Sequence, residues 1–297
     1  MKRYCLYLFI LIGISCSAEL KAQRNGTVYK GNDPAVRYTG RTLVSSDGSV
    51  AFDWVGTYLE TRFTGGRLSV KVSETGTSYY NVFVDGKLHK VVKVCGTDTL
   101  IHLVSGIDKR IHSLKIQKRS EGEFGKTTIH QFVLSGSGRL AEEPAVRTRH
   151  IEFIGNSLTC GYGTDGKHRD EPFLVETENC NLTFASMVAR YYDADYTLIA
   201  HSGRGAARNY GDSVRVSKVT MKDRMLNTFD EDLTHKWNFK GYLPDLVVIN
   251  LGSNDFSTEP HPYKSEFTKA YKQILAQLRE HYGDIPILCI YPVAMQA

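Results

Sequence analysis

Two periodicities divide the chain. Over residues 24–139 apolar and polar positions alternate with a period of two, in short runs bounded by glycines. Residues 58–63 and 67–72 predict strands joined by the turn Thr64-Gly65-Gly66. Residues 80–84 and 88–94 flank Asp85-Gly86, a dipeptide that accepts the positive φ of a two-residue hairpin. Residues 98–104, 111–117 and 129–134 continue the series. Many short strands with turn signals between them predict an all-β jelly-roll or sandwich domain. Residues 140–148 are rich in Glu and Arg, contain Pro144 and lack periodicity, so they read as a linker.

From residue 149 to 297 apolar strands alternate with helical spacing. Residues 151–154, 196–200, 245–251 and 285–291 read as strands. Residues 183–192 have helical spacing, with Phe184, Met187, Val188 and Tyr191 expected on the buried face. Residues 263–282 form a longer amphipathic pattern, with Phe267, Tyr271, Ile274, Leu275 and Leu278 as its apolar stripe. This order predicts a parallel sheet covered by helices on both faces. The overall fold class is α/β, preceded by an all-β domain.

Composition removes several functions. The net charge of +5 arises from 37 basic and 32 acidic residues without a dense Lys/Arg block, so no nucleic-acid partner is expected. Residues 1–22 have a basic start, an apolar stretch over 4–14 and small residues before Gln23, the pattern of a secretory leader. No other stretch is long and apolar enough to span a bilayer. A secreted or periplasmic chain is expected, with lipid anchoring at Cys16 as an alternative. Outside the leader, Cys95, Cys160, Cys180 and Cys289 show no C-x-x-C or metal-ligand spacing, so neither metal nor cofactor is implied. Cys160–Cys180 is the one pair considered for a disulfide, and free buried thiols are the preferred reading.

Candidate chemistry lies at three strand ends. The first strand stops at Gly155-Asn156-Ser157, the second runs into His201-Ser202-Gly203, and the third into Gly252-Ser253-Asn254-Asp255. In open α/β sheets ligands bind outside the carboxyl ends of the strands. Acyl transfer needs a nucleophile and donors aimed at a developing oxyanion. A serine hydroxyl, a glycine that lets backbone N–H come close, and a neutral carboxamide meet that need. Ser157, Gly203 and Asn254 are therefore the catalytic candidates.

The stretches around them resemble the SGNH (GDSL-like) hydrolases, and specifically carbohydrate esterase family two. Ser157 matches the first block, Gly203 the second and Asn254 the third. The resemblance implies a three-layer SGNH-type parallel-sheet domain behind a β-sandwich. It also implies an exported enzyme that removes O-acetyl groups from plant polysaccharides such as xylan or glucomannan. Acetylated polysaccharide or oligosaccharide is the expected partner. Asn156 stands where the wider family usually has Asp, with a modest effect expected. The family's histidine base falls after the last strand. The sequence reaches Gln296-Ala297 without one, and a chain truncated at that end is expected. His168 and His235 sit in Asp-x-x-His stretches, but both precede the third block. Tyr162 and Trp237 are read as sugar-stacking or core aromatics. Arg204 and Asn209 are read as loop supports or sugar contacts, and His261 as a cleft or loop residue. A non-catalytic carbohydrate-binding protein on the same scaffold, or a general lipase or thioesterase, is the alternative.

Overall fold

The computed structural model describes residues 26–142 and 145–291. The expected leader lies outside the described residues. The first sheet contains β1 (Thr27–Lys30), β2 (Val36–Thr39), β3 (Leu43–Val44), β4 (Val50–Phe52), β5 (Tyr58–Val84), β6 (Lys87–Lys118) and β7 (Thr127–Leu134). All its pairings are antiparallel. β5 and β6 are long, and their ladder folds back on itself: Tyr80 lies opposite both Lys118 and Val92. This curl encloses a core around Phe52, Phe63, Leu68, Phe132 and Leu134.

Two sequence expectations change here. Residues 64–66 do not end a hairpin. They lie inside the continuous β5, where the pairing register shifts at Thr64 and Gly66. Likewise the runs 88–94, 98–104 and 111–117 merge into β6. Glycines within a strand can mark a bulge that bends it without ending it, and sequence alone does not separate the two. The Asp85-Gly86 hairpin is present as expected, with φ of 50° and 75° between paired Val84 and Lys87.

The second sheet is parallel, in the order β11–β10–β8–β9, from β8 (His150–Gly155), β9 (Asp195–Ala200), β10 (Leu246–Ile249) and β11 (Ile287–Cys289). Helices α1 (Ser157–Cys160), α2 (Phe184–Tyr191), α3 (Met221–Arg224) and α4 (Lys264–Tyr282) follow the strands. Alternate strand residues feed two cores. Phe153, Tyr196, Leu198 and Val248 join Ala185 and Ala189 of α2 on one face. Ile154, Ile199, Val247 and Ile249 join Ile274 and Leu278 of α4 on the other. The expected stripe of α4 packs against that second core. Of the expected face of α2 only Phe184 packs on its core: Ala185, Ser186 and Ala189 are buried, while Met187, Val188 and Tyr191 are exposed. Small side chains let the helix lie close to the sheet. Cys160 and Cys180 are both buried free thiols.

The two sheets share a core. Val55 and Tyr58 of the first domain join the α2-side core, and Trp54 joins the α4-side core. Each such fully buried side chain contributes roughly 1.5–3 kcal/mol. Polar ties add to this. Arg41 is buried, donates to the carbonyls of Met225 and Asn227 at 2.6 and 2.8 Å, and lies 3.5 Å from the buried Glu152 carboxylate on β8. The stretch read as a linker is also tied down. Leu140 bridges to Phe63, and Arg147 joins an ion cluster at Asp195.

In that cluster Asp195, with a side chain 5% exposed, accepts from Arg37 at 2.6 Å, Arg147 at 2.8 Å and the Tyr58 hydroxyl at 2.6 Å. Both arginines also pair with Glu60. Burial works to raise the Asp195 carboxyl, but hydrogen bonds from Arg37 and Tyr58 outweigh it and leave it below its ordinary value. A depressed carboxylate stabilises the fold above its unfolded pKa, and that contribution is lost as pH falls through the folded value. Asp195→Ala should therefore lower unfolding free energy at neutral pH by about 3–5 kcal/mol, the cost of breaking a buried pair. Below about pH 4, where wild type loses this contribution, the gap between the two proteins should shrink. Denaturant titrations across pH check both expectations. A neutral-pH loss under about 1 kcal/mol, typical of a surface pair, would count against the cluster as a fastening.

Candidate active site

Parallel register brings the three candidate turns together. β8 runs between β10 and β9, and Ile154 lies opposite both Ile249 and Ile199. Neighbouring strands are about 4.8 Å apart, so three turns leave one short edge of the sheet. The Asn250 N–H donates to the Ile154 carbonyl at 2.8 Å and the His201 N–H to the Gly155 carbonyl at 3.4 Å, carrying the pairing into the turns. Ser157, Gly203 and Asn254 follow within a few residues on each strand.

Ser157 is the first residue of α1, and Asn156 caps that helix. The Asn156 Oδ1 accepts from the Leu158 N–H at 3.2 Å, and its Nδ2 donates to Ser253 Oγ at 2.9 Å. Asn156 thus joins the first turn to the third. The Ser157 side chain is half-buried. Gly203 has φ +74°, and an added Cβ would meet nothing nearer than 3.9 Å, so its conformation, not crowding, favours glycine there. The Asn254 Nδ2 donates one hydrogen to the Arg204 carbonyl at 2.9 Å, which joins the third turn to the second. Asp255 continues that tie. Its buried carboxylate accepts from the N–H groups of Ala206, Ala207 and Arg208 at 3.0, 2.7 and 2.9 Å.

The donors left over are informative. Around Ser157 the N–H groups of Leu158, Thr159 and Cys160 are all hydrogen-bonded. Around Gly203 those of Ser202, Arg204 and Gly205 are also taken. Among the described residues the Ser157 and Gly203 N–H groups have no acceptor, and neither does the second amide hydrogen of Asn254. The arrangement can present three neutral donors beside a hydroxyl.

Beneath these turns lies a buried acid pair that the sequence did not signal. Glu121, in the loop after β6, accepts from the Ser202 N–H at 2.6 Å and from the Cys160 thiol at 3.3 Å. Its own N–H donates to Glu178 at 3.0 Å. Burial, then the charge and hydrogen bond of Glu121, raise Glu178 far above the ordinary carboxylate range, so Glu178 holds its proton. Burial also pushes the Cys160 thiol up. Asp255, Glu121 and Glu178 carry no local motif, and only Asp255, beside Asn254, could have been suspected from position.

No histidine among the described residues is hydrogen-bonded to Ser157. His201 is buried beside the second turn. Burial alone would lower its ring, but Asp230, at 2.7 Å from Nδ1, outweighs this and leaves it raised. Its Nε2 faces Glu123 at 3.7 Å, so both ring nitrogens point at carboxylates. His168 pairs with Asp170 and His235 with Asp232, both on the surface. Among the described residues, ligand-type side chains gather within 4.8 Å in two groups: Glu121, Cys160 and Glu178, and separately His201, Asp230 and Glu231. The first is joined by internal hydrogen bonds, and in the second Arg224 pairs with both carboxylates at 2.9 and 2.8 Å.

The remaining candidates fall in different places. Tyr162, 47% exposed, stacks on Phe173 at 3.7 Å between centroids, and Phe173 stacks in turn on Phe124 at 5.7 Å. This aromatic row starts at the end of α1. His261 follows the third turn, 3.4 Å from Glu259 and edge-on to Phe256. Arg204 is half-buried in the second turn. Asn209 is buried, and its amide donates to the Val219 carbonyl at 2.9 Å and to Asp212 at 3.3 Å, so it organises its own loop. Trp237 is not brought to the strand ends. It packs edge-on to Tyr242, which hydrogen-bonds His150 at the opposite end of β8.

Comparison with known proteins matches this arrangement over both domains. Residues 38–144 match the family described as carbohydrate esterase 2 N-terminal, and residues 153–297 match the GDSL-like lipase/acylhydrolase family. The chain is 34% identical over 258 residues to the cellulase/esterase CelE of Acetivibrio thermocellus, covering 87% of this chain but 31% of that protein. It is 33% identical over 226 residues to an acetylxylan esterase / glucomannan deacetylase of Cellvibrio japonicus, covering 74% of this chain and 61% of that one. The chain thus spans less than two thirds of the length of these relatives. Among solved structures, a family two carbohydrate esterase from Clostridium thermocellum in complex with cellohexaose superposes with a TM-score of 0.83 at 34% identity, covering 88% of this chain and 79% of that one. With its two matched regions, its β-domain and its parallel sheet, this chain belongs to carbohydrate esterase family two.

Proposed function

We propose that this chain is the deacetylating part of an exported carbohydrate esterase that removes O-acetyl groups from plant polysaccharides such as xylan or glucomannan. One observation carries the reading. Among the described residues, two N–H groups and one amide hydrogen, on three adjacent turns, lack acceptors, while the amides that follow Ser157 and flank Gly203 are paired. Pre-aimed neutral donors are what a tetrahedral oxyanion requires. The names of the relatives support the substrate class: one is an acetylxylan esterase / glucomannan deacetylase, and the solved esterase carries cellohexaose.

The chemistry proceeds in two steps. The Ser157 hydroxyl attacks the acetyl carbonyl while a base takes its proton. The Ser157 N–H, Gly203 N–H and Asn254 amide hold the negative oxygen. Collapse expels the sugar hydroxyl with a proton and leaves acetyl-Ser157. Water then attacks this ester, releasing acetate and restoring the serine. Among the described residues no histidine is hydrogen-bonded to Ser157, so this base is assigned to no numbered residue. The Tyr162–Phe173–Phe124 row supplies aromatic surface for a sugar ring beside α1, and Arg204 and His261 flank the turns.

Acetate release from acetylated xylan and glucomannan by the full-length protein tests the reading. Ser157→Ala should reduce kcat by about 10⁴-fold or more. Undiminished release would reject Ser157 as nucleophile. Oligosaccharide binding without turnover in the unaltered protein would make it a carbohydrate-binding scaffold instead. Asn254→Ala should lower kcat by about 10²–10³-fold, with KM changed by no more than about twofold, because the lost donor acts on the transition state. A rise in KM at constant kcat would assign Asn254 to ground-state sugar binding.

A further inference from the structure

Glu121 belongs to the first domain, yet its carboxylate ends beneath the two turns that carry Ser157 and Gly203. It is fully buried. One oxygen, Oε2, accepts both the Ser202 N–H at 2.6 Å and the Cys160 thiol at 3.3 Å. Ser202 directly precedes Gly203. Cys160 is the last residue of α1, and Ser157 is its first. The other side of the second turn is pinned as well: the Arg204 N–H donates to the His201 carbonyl at 3.3 Å, and the Arg204 carbonyl accepts from Asn254. The Gly203 N–H therefore lies between two fixed peptides, one of them fixed by Glu121.

Glu121 is itself held from several sides. Its N–H donates to Glu178 at 3.0 Å. The buried Lys118 ammonium reaches the Glu121 carbonyl at 3.5 Å and Ser78 Oγ at 2.7 Å. The Oε1 atoms of Glu121 and Glu178 are buried and have no hydrogen-bond partner among the described residues. Glu178, raised by burial and by the neighbouring Glu121, holds its proton and lies at this depth as a neutral group. Such an arrangement is expensive in a protein interior, and a mere filler of this space would be apolar.

We propose that Glu121 is a positioning residue for the esterase site: it fixes the His201–Ser202 peptide, directly before the Gly203 N–H, against α1, so that the first domain completes the oxyanion pocket of the second. This rests on the esterase reading above. Glu121 touches no reacting atom. It acts through the direction of the Gly203 N–H and the seat of the Ser157 helix.

Three variants of the full-length protein test it. Glu121→Gln keeps an acceptor for the Ser202 N–H and offers an amide hydrogen to Glu178, so it should retain kcat to about threefold, less than one lost hydrogen bond. Glu121→Asp keeps the carboxyl group but withdraws the acceptor by one methylene. Glu121→Ala removes it. Both should lose about 10–100-fold in kcat, less than deletion of an oxyanion donor, with KM held to about twofold. Amide exchange at Ser202 and Gly203 should quicken in the same two variants and not in Glu121→Gln. If Glu121→Ala does not fold, the Asp and Gln pair decides. Equal kcat in the Asp and Gln variants, or exchange at Ser202 unchanged in the Asp variant, overturns the proposal. Absence of acetate release by the unaltered protein refutes the esterase reading, and the exchange measurement then judges the hold of Glu121 on the turn by itself.

Discussion

The register of three parallel strands governs everything at the candidate site. Because Ile154 on β8 is level with Ile199 on β9 and Ile249 on β10, the three chains leave the sheet along one line. A slip of one residue in any strand would turn its apolar side chains to the wrong core and move its turn out of reach. The same two cores that bury Phe153 and Ile154 therefore also set where Ser157, Gly203 and Asn254 emerge. Packing on the sheet faces and chemistry at the sheet edge are one constraint.

Side-chain ties convert that alignment into a fixed geometry. Asn156 reaches Ser253, Asn254 reaches Arg204, and Asp255 gathers three backbone N–H groups of the second loop. Each tie links two of the three turns and leaves the donors nearest the serine unspent. Donors held in place before reaction cost no reorganisation when charge develops. Asn156 spends both ends of its amide in this frame: its oxygen caps α1, and its nitrogen donates to Ser253.

The first domain belongs to this frame. Trp54, Val55 and Tyr58 are part of the second domain's cores, Arg41 meets Glu152 under β8, and Glu121 meets the second turn. Buried charges of this kind are costly to desolvate, and breaking one of their pairs leaves the other charge bare. Interfaces built on them are specific in orientation. Two units joined by a loose connection would drift relative to each other, whereas here the connecting stretch itself carries Arg147 into the Asp195 cluster.

What could be read from the sequence had a local cause. The Asp85-Gly86 hairpin needs only two residues that accept positive φ. The stripe of α4 repeats over many turns, and the strand ends announce themselves by an apolar run meeting Gly, Ser and Asn. The family resemblance rested on those same stretches. What the sequence did not yield depends on partners far along the chain. Whether Gly65 and Gly66 end a strand or bend it is decided by the continuous ladder with β6. Which face of α2 is buried is decided by how closely the sheet lets a helix approach, and small Ala185, Ser186 and Ala189 win over large Met187 and Tyr191. Trp237 joins Tyr242 at the amino end of β8, away from the turns, because residues 221–242 fold beneath Arg41. The sequence thus determined which residue types stand at the strand ends. Only the tertiary structure decided that Glu121 and Glu178 lie beneath them, because a buried carboxylate is recognisable by its surroundings and not by its neighbours in the chain.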